Sequence, residues 1–269
     1  MISPERRLRR LLSYGCFEAA RLKIARARYH IERLRRELET YHQKLPIRRS
    51  AQFDPPYLTF KVEVFVLPPI GIPTIIGDAV HNLRCSLDLL ASDVVRLNGK
   101  EPADVYFPFA RDAAGLEVMI KKKHMDRAPP AAVDLVRQVR PYRGGNLLLR
   151  TIHDLDIADK HQALIPAASI IQTPESVSQF ELFELKLGVE SGGRVYITQP
   201  MTDTWLAELG DDMAVPLKLL FPDDTPFAER ELITGLEDCA AEFLAVVEAF
   251  EVLLFGAIAM DPLDSLGLD

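Results

Sequence analysis

Two short stretches of this 269-residue chain concentrate the side chains that can do chemistry. The first runs Gly77-Asp78-Ala79-Val80-His81-Asn82-Leu83-Arg84-Cys85-Ser86-Leu87-Asp88. On a helix His81, Arg84 and Asp88 fall at i, i+3 and i+7 and share one face. Their neighbours Val80, Leu83 and Leu87 turn towards a core. An imidazole, a guanidinium and a carboxylate on one stripe can bind or cleave a phosphodiester, and they can equally form a structural ion-pair ladder. The second stretch is His153-Asp154-Leu155-Asp156-Ile157-Ala158-Asp159-Lys160-His161. There His153, Asp156 and Lys160 share a face, His161 lies at its margin, and Asp159 sits on a different turn beside Leu155 and Ile152. If the two helices are neighbours they build one candidate site. Arg84, His81 and His161 are its catalytic candidates. Asp78, Asn82, Asp88, His153, Asp159 and Lys160 are its binding or structural members.

Other chemistries find little support. Asp78-x-x-His81 has the spacing of a helix-borne carboxylate–histidine pair, but the second stretch has no Glu-x-x-His to complete a bundle metal site. No metal and no cofactor is expected. The chain lacks GxGxxG, a P-loop, HExxH and a GxSxG in a strand–turn–helix setting. Arg140, Arg143 and Arg150 surround the Gly144–Gly145 turn and can line an anion-binding helix N-terminus. Cys16, Cys85 and Cys239 are odd in number and far apart, which reads as reduced, mostly buried thiols. His30 and His42 are expected in solvent or at a packing margin, His124 in an exposed loop, and Trp205 as a packing anchor.

The elements that position these residues follow from periodicity. From Pro4 to about Lys44 no proline interrupts a helical segment, and Phe17, Ala20, Ile24, Ala27, Ile31, Leu34, Leu38, Tyr41 and Leu45 step by threes and fours. The polar run Pro46–Ala51 ends it. Tyr57–Leu67 alternates as a half-buried strand. A helix over about 73–97 carries the stripe Ile76, Val80, Leu83, Leu87, Leu90 and Val94. Shorter helices are expected over 113–123, 130–140 and 147–161. Ala163–Gln172 is a weak strand, and Gln179–Val189 with Arg194–Gln199 reads as a hairpin. Thr225 and Pro226 mark the start of a last helix, whose stripe is Leu232, Leu236, Cys239, Phe243, Val246, Phe250 and Leu253 and which ends at Gly256. The fold class is mainly α (α+β): a helical bundle with a long N-terminal helix and a small antiparallel β-sheet. It is expected as a single domain over 1–269. The helical core covers about 1–56, 73–161 and 225–256, and the β elements about 57–67 and 163–199.

Composition sets outer limits. At 48% hydrophobic and 26% charged the chain is an ordinary globular protein, which excludes collagen-like and wholly disordered classes. The charged start MISPERRLRRLL is no export signal, and Phe243–Met260 carries Glu248 and Glu251, which favour a core helix over a membrane span. A cytoplasmic location without membrane attachment is expected. The net charge of −7 hides a gradient: +9 over residues 1–50, zero over 51–170 and −16 over 171–269. A basic head and an acidic tail suggest head-to-tail contacts, within one chain or between two.

The two motif stretches resemble those of a widespread, largely uncharacterised family of bacterial and phage proteins. Its members carry Gly-Asp-x-x-His-Asn-Leu-Arg-x-x-Leu-Asp, then Phe-Pro, then Gln/Arg-Pro-Tyr, then His-x-Leu-x-x-x-Asp-Lys-His. Here these are Gly77–Asp88, Phe107-Pro108, Arg140-Pro141-Tyr142 and His153–His161. With the long first helix, the resemblance covers most of residues 1–166. The family's first motif usually ends Arg-x-x-Leu-Asp-His, which resembles the Arg-x4–6-His signature of HEPN domains, helical dimers that often cut RNA without a metal. The resemblance implies that Arg84 holds a scissile phosphate while a histidine assists attack by the ribose 2′-OH. Leu89 stands where that histidine would be, so His81 or His161 takes its role if the chain cuts RNA. The implied setting is a homodimer with an RNA or protein partner, in a phage-defence or toxin–antitoxin system, active or degenerate. The alternative is a non-enzymatic scaffold or interaction protein whose His, Arg and Asp residues are structural ion-pair clasps.

Overall fold

The seam read along the first helix is the inner face of a bundle. Ala20, Ile24, Ala27, Ile31, Leu34, Leu38 and Tyr41 are all buried on helix α1, Glu18–Gln43. The computed structural model describes residues 17–44, 47–54, 57–64, 69–161, 168–171, 185–186, 194–200, 213–214, 217–221, 227 and 230–256; for most strand residues and for 160–161 it describes the backbone alone. Leu45, Cys16 and Trp205 fall outside them. Of the long helix expected from Pro4, residues 4–16 lie outside the described residues; Phe17, just before α1, has a left-handed backbone, with φ 61°, and a fully buried ring 6.1 Å from Phe255. A bulky residue holds that conformation only where packing fixes it.

The other helices are α2 (Ile72–Leu97), α3 (Ala113–Lys122), α4 (Pro130–Val139), α5 (Leu147–His161) and α6 (Leu232–Phe255). The α2 stripe from Ile76 to Val94 is fully buried, as its period requires. The α6 stripe is buried from Leu232 to Phe250, but Leu253 is 41% exposed near the helix end. α6 starts later than the Thr225–Pro226 signal suggests: Phe227 is a turn, and the backbone of Arg230 accepts from Phe221 N–H before the helix begins. Asp112 caps α3 by accepting from Gly115 N–H at 2.8 Å, and Pro130 opens α4.

The chain divides into two compact units, Met1–Ile31 with Gly77–Ala163 and Thr234–Asp269, and Glu32–Ile76 with Leu164–Ile233. The first is the helical bundle. Phe17 meets Phe255 and Arg21 pairs with Glu251, so α1 and α6 run antiparallel. Lys23 reaches Asn82 while His30 lies near Asp78, so α1 and α2 are antiparallel too. Asn146 bonds Glu242 and Leu148 O accepts from Cys239, which sets α5 against α6. With α2 against α5, described below, the four long helices close an up-down ring. Arg21, which also lies 3.7 Å from Glu248, joins the basic head of the sequence to its acidic tail within one chain.

In the second unit the backbone pairs as two antiparallel sheets. Strands β1 (Ile47–Asp54), β2 (Tyr57–Val64), β5 (Arg194–Pro200) and β6 (Met213–Ala214) are ordered β5-β2-β1-β6. Strands β3 (Ala168–Ile171), β4 (Leu185–Lys186) and β7 (Leu217–Leu220) are ordered β4-β3-β7. Residues 47–54, read as the end of the helical core, are therefore a strand, in register with β2 from Ile47–Val64 to Asp54–Tyr57. Of the expected 179–199 hairpin only Leu185–Lys186 and Arg194–Gln199 fall among the described residues, and their described partners lie elsewhere. Arg194–Pro200 pairs with Tyr57–Val64, and Leu185–Lys186 pairs with Ala168–Ser169. Alternation marks a strand's faces but says nothing of its partner.

Candidate functional site

Helices α2 and α5 are joined by rungs one turn apart. The Asp159 carboxylate lies against Gly77, so close that a Cβ there would sit 2.8 Å from Oδ1. His81 Nδ1 is 3.1 Å from Asp156 Oδ1, and Arg84 Nε donates to His153 Nδ1 at 3.1 Å. Each step up α2 is a step down α5, so the helices are antiparallel and residue numbers across the seam add to nearly the same value. Gly77 is the residue that lets the first rung close. Asn82 points the other way: its amide donates to Asp78 O and its Oδ1 accepts from Lys23 Nζ.

The Arg84 rung is closed to solvent. Its side chain is 10% exposed, and Nη1 lies 2.7 Å from Asp88 Oδ1. The guanidinium carbon stands 4.5 Å from the centre of the Phe109 ring, on which the His153 ring also stacks at 4.4 Å. Asp88 is held from a second side, because Oδ1 accepts from Phe107 N–H at 2.9 Å. Burial, then the positive charges of Arg84 and Arg150, push His153 down to about 3. The ring is therefore neutral at physiological pH, and its bare Nδ1 is what accepts from Arg84.

The His81 rung is open. Its side chain is 48% exposed while that of Asp156 is 6% exposed. The carboxylate can only accept, so Nδ1 carries the proton and Nε2 is left as the basic atom. Cys85 Sγ lies 3.3 Å from that Nε2.

Sequence reasoning placed Arg84, Asp88, His153, His81 and Asp159 in one neighbourhood, and they lie along one seam: Asp159 against Gly77, His81 in the open rung, and Arg84, Asp88 and His153 in the closed one. The side chains of Lys160 and His161 lie outside the described residues. Other readings are corrected. Cys85 is half-buried beside His81, whereas Cys239 is buried as expected. His30 is buried, 3.9 Å from Asp78. The arginines around Gly144–Gly145 are engaged within the fold. Arg150 bonds Asp154 and Ala110 O, Arg140 bonds Tyr142 Oη and Gly144 O, and Arg143 reaches Asp154. Asn146 Oδ1 caps α5 by accepting from Leu149 N–H, which occupies the expected anion position. Two participants went unread. Phe109 lies outside any helix and had no periodic signal, whereas Cys85 had one, being four residues beyond His81 on the same helix.

Among the described residues no group of three His, Cys, Asp or Glu side chains is placed to hold a metal ion. No helix among them is long and apolar enough to cross a membrane. No protein-family model matches the chain, and no curated protein or solved structure is significantly similar to it.

Proposed function

We propose that this chain is a helical interaction protein in which the Arg84 motif is a structural clasp, rather than the phosphate-binding arginine of a HEPN-like ribonuclease. The observation that carries this is the state of Arg84. Its Nε donates to His153, its Nη1 lies at ion-pair distance from Asp88 without a well-formed hydrogen bond, and its face rests on Phe109. A phosphate gripped by two guanidinium nitrogens would have to take over Nε or Nη1, and so displace His153 or Asp88. A clasp gains from such burial, whereas a phosphate ligand needs a free guanidinium edge.

A HEPN-like ribonuclease, active or degenerate, is the second reading, and one observation favours it: half-exposed His81, oriented by Asp156, has the form of a general base. That chemistry would use His81 in place of the histidine that Leu89 replaces, and a cation other than Arg84 for the phosphate. In both readings we propose a homodimer, with a protein partner in the first and RNA in the second.

Arg84→Ala separates the two. As a clasp, its loss costs stability, about 3–5 kcal/mol for breaking a buried pair, and leaves metal-free cleavage or binding of RNA at the level of the parent chain. Unchanged denaturant stability with loss of an RNA activity would overturn the clasp reading. Arg84→Lys is the control: it keeps the charge but cannot reproduce the forked contacts, and it is expected to fall between.

A further inference from the structure

The open rung carries a third group. Cys85 lies one turn along α2 from His81, with Sγ 3.3 Å from Nε2 and 3.9 Å from Nδ1. The same ring holds Asp156 through Nδ1. Thiol, imidazole and carboxylate therefore stand in sequence, the arrangement in which a base activates a nucleophile and a third group orients the base. Asp156 is buried, and its contact with Nδ1 fixes the orientation of the ring. A positive ring at 3.3 Å in turn stabilises a thiolate on Cys85. The two sulfur distances place Sγ beside the ring rather than out along the Nε2 lone pair, so the coupling is electrostatic first. His81 is half-exposed and Cys85 half-buried, which gives a small reagent a way in. The proposal uses none of the Arg84, Asp88 and His153 contacts that carry the clasp reading.

We propose that Cys85 is a nucleophilic thiol, activated by His81 and Asp156, whose reactants are hydroperoxides. Rotation of the Cys85 side chain brings Sγ into line with the Nε2 lone pair, and the thiol proton then passes to His81 Nε2. The thiolate attacks the terminal oxygen of the peroxide, the S–O bond forms and the O–O bond breaks. The departing alkoxide takes the proton from Nε2. Cys85 is oxidised to a sulfenic acid, and the hydroperoxide is reduced to an alcohol, or to water when it is hydrogen peroxide. Such a reaction asks for a thiolate and a proton donor to the leaving oxygen, and this pair of side chains supplies both.

The test uses the full chain and two probes. Alkylation of Cys85 by iodoacetamide, followed by peptide mass spectrometry across pH 5 to 9.5, reads the thiolate fraction. The expected midpoint lies below the free-thiol value of about 8.5, with labelling at pH 7 about tenfold faster than in His81→Gln. Hydrogen peroxide with dimedone then tests the oxidation. The adduct is expected on Cys85, weakened about fivefold or more in His81→Gln and absent in Cys85→Ser. A parent midpoint near 8.5, or equal pH profiles in parent and His81→Gln, overturns the activation. A lowered midpoint without a dimedone adduct overturns the peroxide chemistry. The parent profile stands without any variant, so the outcome is decisive even if His81→Gln folds poorly.

Discussion

Replacing His153 with asparagine should remove part of the acid sensitivity of the helical bundle. In the fold His153 is held down to about 3, chiefly by burial and then by Arg84 and Arg150, against 6.5 for an unhindered histidine. Above pH 6.5 the ring is neutral whether the chain is folded or not, and it contributes no pH dependence. Below that value the unfolded chain takes up a proton that the folded chain refuses, so unfolding gains and stability falls with pH. The loss runs at about 1.4 kcal/mol per unit until the folded pKa is reached. Between pH 7.5 and 4.5 this amounts to about 2.7 kcal/mol, and over the whole window to about 5 kcal/mol. Asparagine keeps an acceptor where Nδ1 stood, so Arg84 Nε retains a partner, but it cannot titrate. It also loses the stacking on Phe109, a pH-independent cost of about 1–3 kcal/mol. Urea unfolding followed by far-UV circular dichroism at four pH values therefore gives two curves that converge as pH falls. Parallel curves would refute both the burial of a neutral ring and its pairing with Arg84, since the remaining carboxylates titrate alike in the two proteins.

The clasp makes a second demand at Asp88. Asp88→Ala strands both Arg84 and the Phe107 N–H and should cost about 3–5 kcal/mol in denaturant stability. Asp88→Asn keeps an acceptor for that N–H and should cost about 1–3 kcal/mol less; equal losses would show that the amide contact contributes nothing. Gly145→Ala would bring a Cβ within 2.3 Å of the Arg140 carbonyl oxygen, a backbone atom that cannot step aside. A loss of about 2–4 kcal/mol is expected, against a change close to zero if the turn before α5 relaxes freely. Arg21→Ala removes the pairing to Glu248 and Glu251. It should lower stability by about 1 kcal/mol at low salt and by less at about 0.5 M salt, because Arg21 is half-exposed; a difference that does not shrink with salt would point to packing instead.

Periodicity made the helices legible, because a buried stripe at threes and fours leaves a helix little choice of face. The seam from Ala20 to Tyr41 and the stripe from Ile76 to Val94 were readable one residue at a time for that reason. Strand pairing was not readable. Residues 47–54 carry two arginines, a serine, a glutamine and an aspartate, so hydropathy gives them no strand signature, and their place depends on hydrogen bonds to Tyr57–Val64. The α6 start was misread because a good cap followed by proline marks where a helix can begin, not where tertiary contacts let it. At the site, His81, Arg84, Asp156 and His153 were legible through their shared spacing. Phe109 was not, since it reaches Arg84 from an irregular segment between α2 and α3.

One helical stripe thus holds two environments, and the reason is the order of rungs along the seam. His81, Arg84 and Asp88 project from α2 within about two turns of one another. The segment carrying Phe107 and Phe109 crosses only the later part of that stripe, where Phe107 N–H holds Asp88 and the Phe109 ring covers Arg84 and His153. Arginine tolerates such burial because its charge is delocalised and its flat face stacks on an aromatic ring, so it becomes a brace. Among the described residues no aromatic segment covers His81, whose half-exposed ring rests on a buried carboxylate. A stripe that reads from spacing as one phosphate-handling site is therefore divided by a single aromatic segment. The Arg84–His153 and His81–Asp156 contacts both span α2 and α5, so both depend on the register between these two helices. Loosening the closed end should therefore disturb the open one: in Asp88→Asn, if it stays folded, Cys85 alkylation at pH 7 should slow towards the His81→Gln rate, and an unchanged rate would show that the two ends are independent.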